Sequence, residues 1–301
     1  LGPVATNAHM LKYDSTYGRF PGEIEVKDDS LYIDGELMKS YAERNPADLP
    51  WGDLGVDIVL ECTGVFRDRT KAALHLDGGA KKVLISAPGK EVDGTFCMGV
   101  NEDAYDSATQ HVISNASCTT NCLAPVAKVL NDSFGIESGF MSTIHAVTNG
   151  QAILDVAGKD LRRSRTAFAN IIPTTTGAAK AIALVIPELK GKLDGMAFRV
   201  PVVTGSVVDL TIKPAKSATA EEVNAALKAA AEGDGWLGKV LDYSEEPLVS
   251  SDYIGSDASS TVDALSTSAM GDIIKVVTWY DNEWGYATRL ADLAVHVAEQ
   301  L

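Results

Sequence analysis

The sequence predicts an α/β region built on a parallel sheet, followed by an α+β region on a mainly antiparallel sheet. Strand-like and helix-like stretches alternate through the first half, the pattern of βαβ units. Longer β-rich runs separated by helical stretches fill the second half. At 301 residues the chain has the length of two domains, each with room for a core.

Taken in order, residues 56–61 read as a buried strand ending in Thr63-Gly64, and residues 70–76 as a helix. Residues 82–88 are the next strand, stopped by Pro88-Gly89. Ligands of open α/β sheets bind beyond the carboxyl ends of strands, so Thr63, Gly64 and Ser86 are candidate cofactor contacts as well as ordinary turn residues. His111-Val112-Ile113 is a third strand, and the stretch from Leu123 to Leu130 is helical. Further β runs cover 139–146, 192–203, 206–212 and 272–279, with helices near 176–186, 220–231 and 288–301. Residues 149–170 are long, charged and weakly periodic, which marks a functional loop.

Composition narrows the classes. Hydrophobic residues are 46% and charged residues 22% of the chain, a globular balance. No apolar run approaches a membrane span, and Leu1-Gly2-Pro3 opens no signal peptide, so a cytoplasmic protein is expected. A formal net charge of −15 argues against nucleic acid or an anionic membrane as partner. Four cysteines form no dense disulfide framework, and no second ligand pair accompanies Cys118 and Cys122, so no metal is expected.

The most informative stretch is Ser114-Asn115-Ala116-Ser117-Cys118-Thr119-Thr120-Asn121-Cys122. A cysteine at a strand-to-helix junction meets unpaired N–H groups and the positive end of the helix dipole, which favour thiolate over thiol. Cys118 is therefore a candidate nucleophile. His145, ending a β run, can stabilise that thiolate and carry a substrate proton, although a lone histidine is more often structural. Arg162, Arg163, Arg165 and Arg199 supply cations in an acidic chain. Such groups suit a phosphorylated ligand, against the alternative of a solvated surface.

These motifs are also a resemblance. Ser117-Cys118-Thr119-Thr120-Asn121-Cys122 resembles the active-site signature of the phosphorylating glyceraldehyde-3-phosphate dehydrogenases. The likeness runs from Leu11-Lys12-Tyr13-Asp14-Ser15 through Arg199-Val200-Pro201 to Trp279-Tyr280-Asp281-Asn282-Glu283, essentially the whole chain. It implies a Rossmann-type NAD-binding domain at 1–117 and 281–301 and a catalytic domain at 118–280. It implies Cys118 and His145 as catalytic residues. Arg199 and Thr148 would hold the substrate phosphate, and Ser117, Thr119, Thr176 and Gly177 the attacking inorganic phosphate, with Arg163 serving one or both. Asn282 would bind the nicotinamide carboxamide, with Tyr286 packed beside it. The implied partners are glyceraldehyde 3-phosphate, inorganic phosphate and three further copies of the chain in a homotetramer. NAD is the expected cofactor and NADP the alternative.

Two departures stand out. Gly150 occupies a place where many bacterial members carry Asp, and Val156-Ala157 matches neither the NAD nor the NADP pattern. The only Gly-x-Gly-x-x-Gly run, Gly233 to Gly238, follows a helical stretch rather than a strand, so it is rejected as the dinucleotide fingerprint. The genuine one is expected in an opening strand–helix–strand unit absent here, as in a partial sequence. Erythrose-4-phosphate dehydrogenase is the rival enzyme, and a non-catalytic binding protein on the same fold the rival from another class. Cys118→Ser is expected to abolish turnover and iodoacetate labelling at that position, and normal dehydrogenase activity in the variant would refute the assignment.

Overall fold

The computed structural model describes residues 1–301. The chain opens with helix α1 (Val4–Lys12) and a short antiparallel ladder of β1 (Tyr13–Asp14) and β2 (Gly18–Arg19). An antiparallel meander follows, β3 (Ile24–Lys27), β4 (Ser30–Ile33) and β5 (Glu36–Met38). This departs from the βαβ alternation expected of the first half. The reason is local: Asp28-Asp29 and Asp34-Gly35 hold φ values of 47°, 55°, 50° and 85°. Two consecutive residues at positive φ form the tight hairpin turn that matches strand twist.

The parallel sheet comes next. Strands β6 (Ile58–Glu61), β7 (Lys82–Ile85), β8 (Gly94–Thr95) and β9 (Val112–Ser114) lie in the order β6-β7-β9-β8, all parallel. Its central strand β7 is buried along its whole length, as the Val83-Leu84-Ile85 run demands. The helix expected at 70–76 is instead two short segments, α2 (Arg69–Ala72) and α3 (Leu74–Asp77). The Asp68 carboxylate caps the first by accepting the Thr70 N–H at 3.0 Å. Between them, the Trp51 indole donates to His75 Nδ1 at 3.1 Å, which places the ring proton on Nε2, 3.0 Å from the buried Glu61 carboxylate. Glu61 also accepts the Thr63 N–H at 2.8 Å and so shapes the loop after β6.

Helix α4 (Cys118–Phe134) leads into the second region. Strands β10 (Ile136–His145), β11 (Ile172–Thr175), β12 (Leu193–Arg199), β13 (Ser206–Pro214), β14 (Leu241–Ser244), β15 (Ser260–Met270) and β16 (Ile273–Tyr280) form one sheet, ordered β11-β12-β10-β13-β16-β15-β14. The β10–β12 and β14–β15 pairs are parallel, and the other pairs are antiparallel. Helices α5 (Ala178–Val185) and α6 (Ala220–Ala231) join α4 against one face. Their contacts build a 28-residue apolar cluster containing Leu123, Leu130, Ile182, Leu210, Leu227 and Ile274. Alternation along β13, buried at Ser206, Val208, Leu210 and Ile212 and half-buried between, shows which face the helices cover.

The rejected glycine run begins after α6 and continues into the start of α7 (Trp236–Val240), with no strand leading into it. The final helix α8 (Trp284–Ala298) returns to the parallel sheet, where Leu290, Leu293 and Val297 pack with Leu84, Phe96, Met98 and Ile113. No helix is long and apolar enough to cross a membrane. Leu293 is fully buried, so Leu293→Ala is expected to cost about 2–5 kcal/mol of stability, measured by denaturant unfolding of the complete protein.

Candidate active site

The site forms where the parallel sheet runs into α4. Strand β9 ends at Ser114, Asn115 and Ala116 carry the turn, and Ser117 caps the helix by accepting the Thr120 N–H at 3.0 Å. Ala116 holds φ at 54°, a left-handed conformation costly for a residue with a side chain. The turn leaves Cys118 as the first helical residue, half-buried, at the edge of a cavity of about 1000 Å³. That cavity is also lined by Gly64, Ser86, Ser117, Thr148 and Tyr286. It thus joins the carboxyl ends of β6 and β7 to the cysteine.

His145 ends β10 and lies with its Nε2 3.4 Å from the Cys118 Sγ. Register places Arg199 directly beside it, because β10 and β12 pair in parallel with His145 opposite Arg199. Arg199 Nη1 is 2.6 Å from His145 Nδ1 and 2.9 Å from the Ala146 carbonyl, while Nδ1 itself is 2.8 Å from that carbonyl. A guanidinium only donates, so contact with Arg199 makes Nδ1 an acceptor and puts the ring proton on Nε2, facing sulphur. When Arg199 withdraws, Nδ1–H can donate to Ala146 and leave Nε2 free to accept the thiol proton.

Electrostatics refine the expectation of a ready thiolate. Burial pushes the Cys118 thiol up, opposed by Thr119, Arg199 and the helix amides. Burial, then the Arg199 charge, pushes His145 down to about 4. Each direction describes exchange of one proton with solvent. Transfer of the proton from Sγ to Nε2 creates both charges together, so their mutual attraction offsets much of the burial penalty. The helix N-terminus and Arg199 then favour the sulphur anion.

Of the anion-binding candidates, Arg199 and Thr119 contact this pair directly. Arg199 is half-buried and its Nε has no hydrogen-bond partner, a donor aimed at no protein acceptor. Arg163 donates to the Thr174 hydroxyl at 2.8 and 3.0 Å. Thr174 stands two residues before Thr176, whose hydroxyl accepts the Ala178 N–H at 3.2 Å as α5 begins after Gly177. No direct contact ties Thr176 or Gly177 to Cys118. The exposed Thr148 hydroxyl bonds Gln151 at 3.1 Å. Thr119 is buried, with its hydroxyl 2.9 Å from the Tyr280 hydroxyl, which also reaches Thr143 at 2.9 Å. Thr63 turns its hydroxyl onto Glu61 rather than into the cavity.

Asn282 is buried just beyond β16. Its Oδ1 accepts from Ser206 at 2.8 Å, whereas its Nδ2 makes no bond within the protein. The Tyr286 hydroxyl donates to the Ala116 carbonyl at 3.2 Å, tying α8 to the cysteine turn. Sequence reasoning missed Ser206, Tyr280 and Asp281. Only the alternation of β13 could have pointed to a buried serine there.

A cysteine with a histidine partner at 3.4 Å, set at the edge of a parallel-sheet cavity, is the arrangement of a cysteine-dependent enzyme site. Comparison makes the family specific. A family model described as glyceraldehyde 3-phosphate dehydrogenase, C-terminal domain, matches residues 117–282, and one described as the NAD binding domain of that enzyme matches residues 1–69. Glyceraldehyde-3-phosphate dehydrogenase of Streptomyces coelicolor is 58% identical over 302 residues, covering 100% of this chain and 90% of its own. That of Geobacillus stearothermophilus is 60% identical over 296 residues, covering 98% of this chain and 88% of its own. Glyceraldehyde-3-phosphate dehydrogenase 1 of Bacillus subtilis is 59% identical over 294 residues, covering 97% and 87%. The chain belongs to the glyceraldehyde-3-phosphate dehydrogenase family, and its cofactor is NAD.

His145 has its folded value depressed, so between about 4 and the ordinary 6.5 the unfolded chain binds more protons. Its contribution to stability is therefore present above pH 6.5 and is lost as pH falls toward 4. Arg199→Gln is expected to move the His145 titration part-way back up, read from the imidazole C–H chemical shift. An unchanged titration would leave burial as the sole cause.

Proposed function

We propose that this chain oxidises glyceraldehyde 3-phosphate with NAD and inorganic phosphate, yielding 1,3-bisphosphoglycerate and NADH, the glycolytic reaction. The observation that carries the reading is the 3.4 Å Cys118–His145 contact beside the unpartnered Arg199 Nε. In this reading residues 1–117 and 281–301 form the cofactor domain, and residues 118–280 the catalytic domain.

Cys118 Sγ attacks the aldehyde carbon, and the thiol proton passes to His145 Nε2. The carbonyl oxygen becomes the thiohemiacetal alkoxide, stabilised by the Cys118 amide and the imidazolium. Bound NAD supplies the two-electron acceptor for the hydride that leaves this carbon. His145 returns its proton to that alkoxide, giving the neutral thiohemiacetal, and takes the same proton back as the thioester forms. Inorganic phosphate then attacks the thioester carbonyl, and Cys118 departs as thiolate. Arg199 and Thr148 hold the substrate's own phosphate, which would also draw Arg199 off His145 Nδ1. Ser117, Thr119, Thr176 and Gly177 hold the attacking phosphate, with Arg163 neutralising charge. Asn282 and Tyr286 position the nicotinamide end, and Thr63, Gly64 and Ser86 line the rest of the dinucleotide path.

A homotetramer is part of this reading. The face of the large sheet away from the helices exposes Phe140 and Leu265, and the 149–170 loop exposes Ile153, Leu154 and Leu161. A cytoplasmic location follows from the need for NAD and phosphorylated metabolites.

The complete protein is expected to form NADH from glyceraldehyde 3-phosphate only when inorganic phosphate is present. Faster turnover of erythrose 4-phosphate would replace the substrate, and activity independent of phosphate would overturn the acyl-transfer step.

A further inference from the structure

The hydrogen-bond inventory around Asn282 leaves little freedom. Ser206 is buried at the first position of β13. Its oxygen accepts the Ala146 N–H at 3.0 Å, so its single proton is available to the Asn282 Oδ1, 2.8 Å away. Thr204 lies 3.4 Å from the same Oδ1, but its proton is committed to the Asp281 carboxylate at 2.8 Å. Ser206 is thus the donor that fixes the carboxamide, oxygen inward and Nδ2 outward. Ala146 follows His145 directly, so one hydroxyl links the strand end bearing the base to Asn282.

Asp281 holds the other side. It is 1% exposed and has no basic partner within ion-pair distance. Instead it accepts from Tyr17 at 2.8 and 2.9 Å, the Gly255 N–H at 2.9 Å, and the Glu283 and Trp284 N–H groups at 2.9 and 3.0 Å, besides Thr204. Four separate segments of chain converge on the residue preceding Asn282. A carboxyl group so fully hydrogen-bonded pins the backbone on which Asn282 rides.

We propose that Ser206, backed by Asp281, is a positioning residue that locks the Asn282 carboxamide with Nδ2 toward the nicotinamide carboxamide, coupling ring orientation to the strand end that carries His145. This rests on the reading of Asn282 as the nicotinamide contact. Without the Ser206 proton the amide can turn over and present oxygen instead of nitrogen, which relaxes the choice of ring face. The adenosine and pyrophosphate parts of the cofactor lie beyond its reach.

The test measures binding of NAD and of ADP-ribose, which lacks the nicotinamide ring, to the full-length protein by calorimetry. Ser206→Ala is expected to weaken NAD about tenfold, the scale of one lost hydrogen bond, with ADP-ribose unchanged. Ser206→Cys, closer in volume and a weak donor, should fall between. With aldehyde deuterated at the reacting carbon, the parent should label one face of the nicotinamide ring, and Ser206→Ala both. Equal losses for NAD and ADP-ribose, or no loss for either, would overturn the proposal. Asn282→Ala separates the two levels: if it leaves the NAD to ADP-ribose ratio unchanged, the Asn282 reading fails. If it collapses that ratio while Ser206→Ala does not, only the positioning role fails.

Discussion

Everything in this molecule hangs on the start of α4. The turn from β9 into that helix has to deliver a sulphur to the cavity while the rest of the helix disappears into the second region's core. Cys122, Leu123, Ala124, Val126, Ala127 and Leu130 are fully buried immediately behind the nucleophile. The helix can therefore neither slide nor rotate without opening the largest apolar cluster. A reactive group on such an element inherits its rigidity, which matters because a nucleophile misplaced by an ångström loses much of its effect. The left-handed Ala116 is the local strain accepted for that placement.

Three chain segments complete the arrangement around this fixed point. The end of β10 brings His145, the end of β12 brings Arg199, and the passage from β16 into α8 brings Asn282 and Tyr286. Parallel pairing of β10 with β12 sets the imidazole and guanidinium side by side. The consequence is chemical as well as geometric. A cation held against Nδ1 keeps the imidazole neutral, and a phosphate that attracts the cation frees the ring to act as a base. In the proposed mechanism, the cation that holds the substrate phosphate is thereby placed to govern when His145 becomes available as a base.

Charge distribution fits the same picture. With a formal net charge of −15, the chain as a whole repels a phosphorylated substrate. Local groups have to overcome that repulsion, and in the proposed function the Arg199 Nε, buried without a protein partner, is such a group. Buried donors without acceptors are rare in folded proteins. Asn282 Nδ2 is its neutral counterpart, also without a bond inside the protein.

Sequence alone determined the parts of the protein that obey local rules. Cys118 stands at a strand-to-helix junction, where helix-end amides and the dipole meet a thiol. β-rich runs named the strands of the large sheet that include β10 and β13, and residues 82–88, stopped by Pro88-Gly89, named β7. The helical stretch ahead of the Gly233 run, with no strand before it, also marked that run as a helix stop and loop rather than a phosphate cradle. These features depend on residues within one or two turns of each other, where backbone geometry and capping act directly. Tertiary structure decided what those rules could not reach. Tyr17 meets Asp281 across 264 positions, Ser206 meets Asn282 across 76, and Tyr280 meets Thr119 across 161. Even the state of His145 was not local, because Arg199 lies 54 residues away. Serines, threonines and aspartates carry no pattern that tells a buried hydrogen-bond donor from a solvated one. Only the packing of two sheets around α4 removes the water, and without competing water each of those contacts becomes selective.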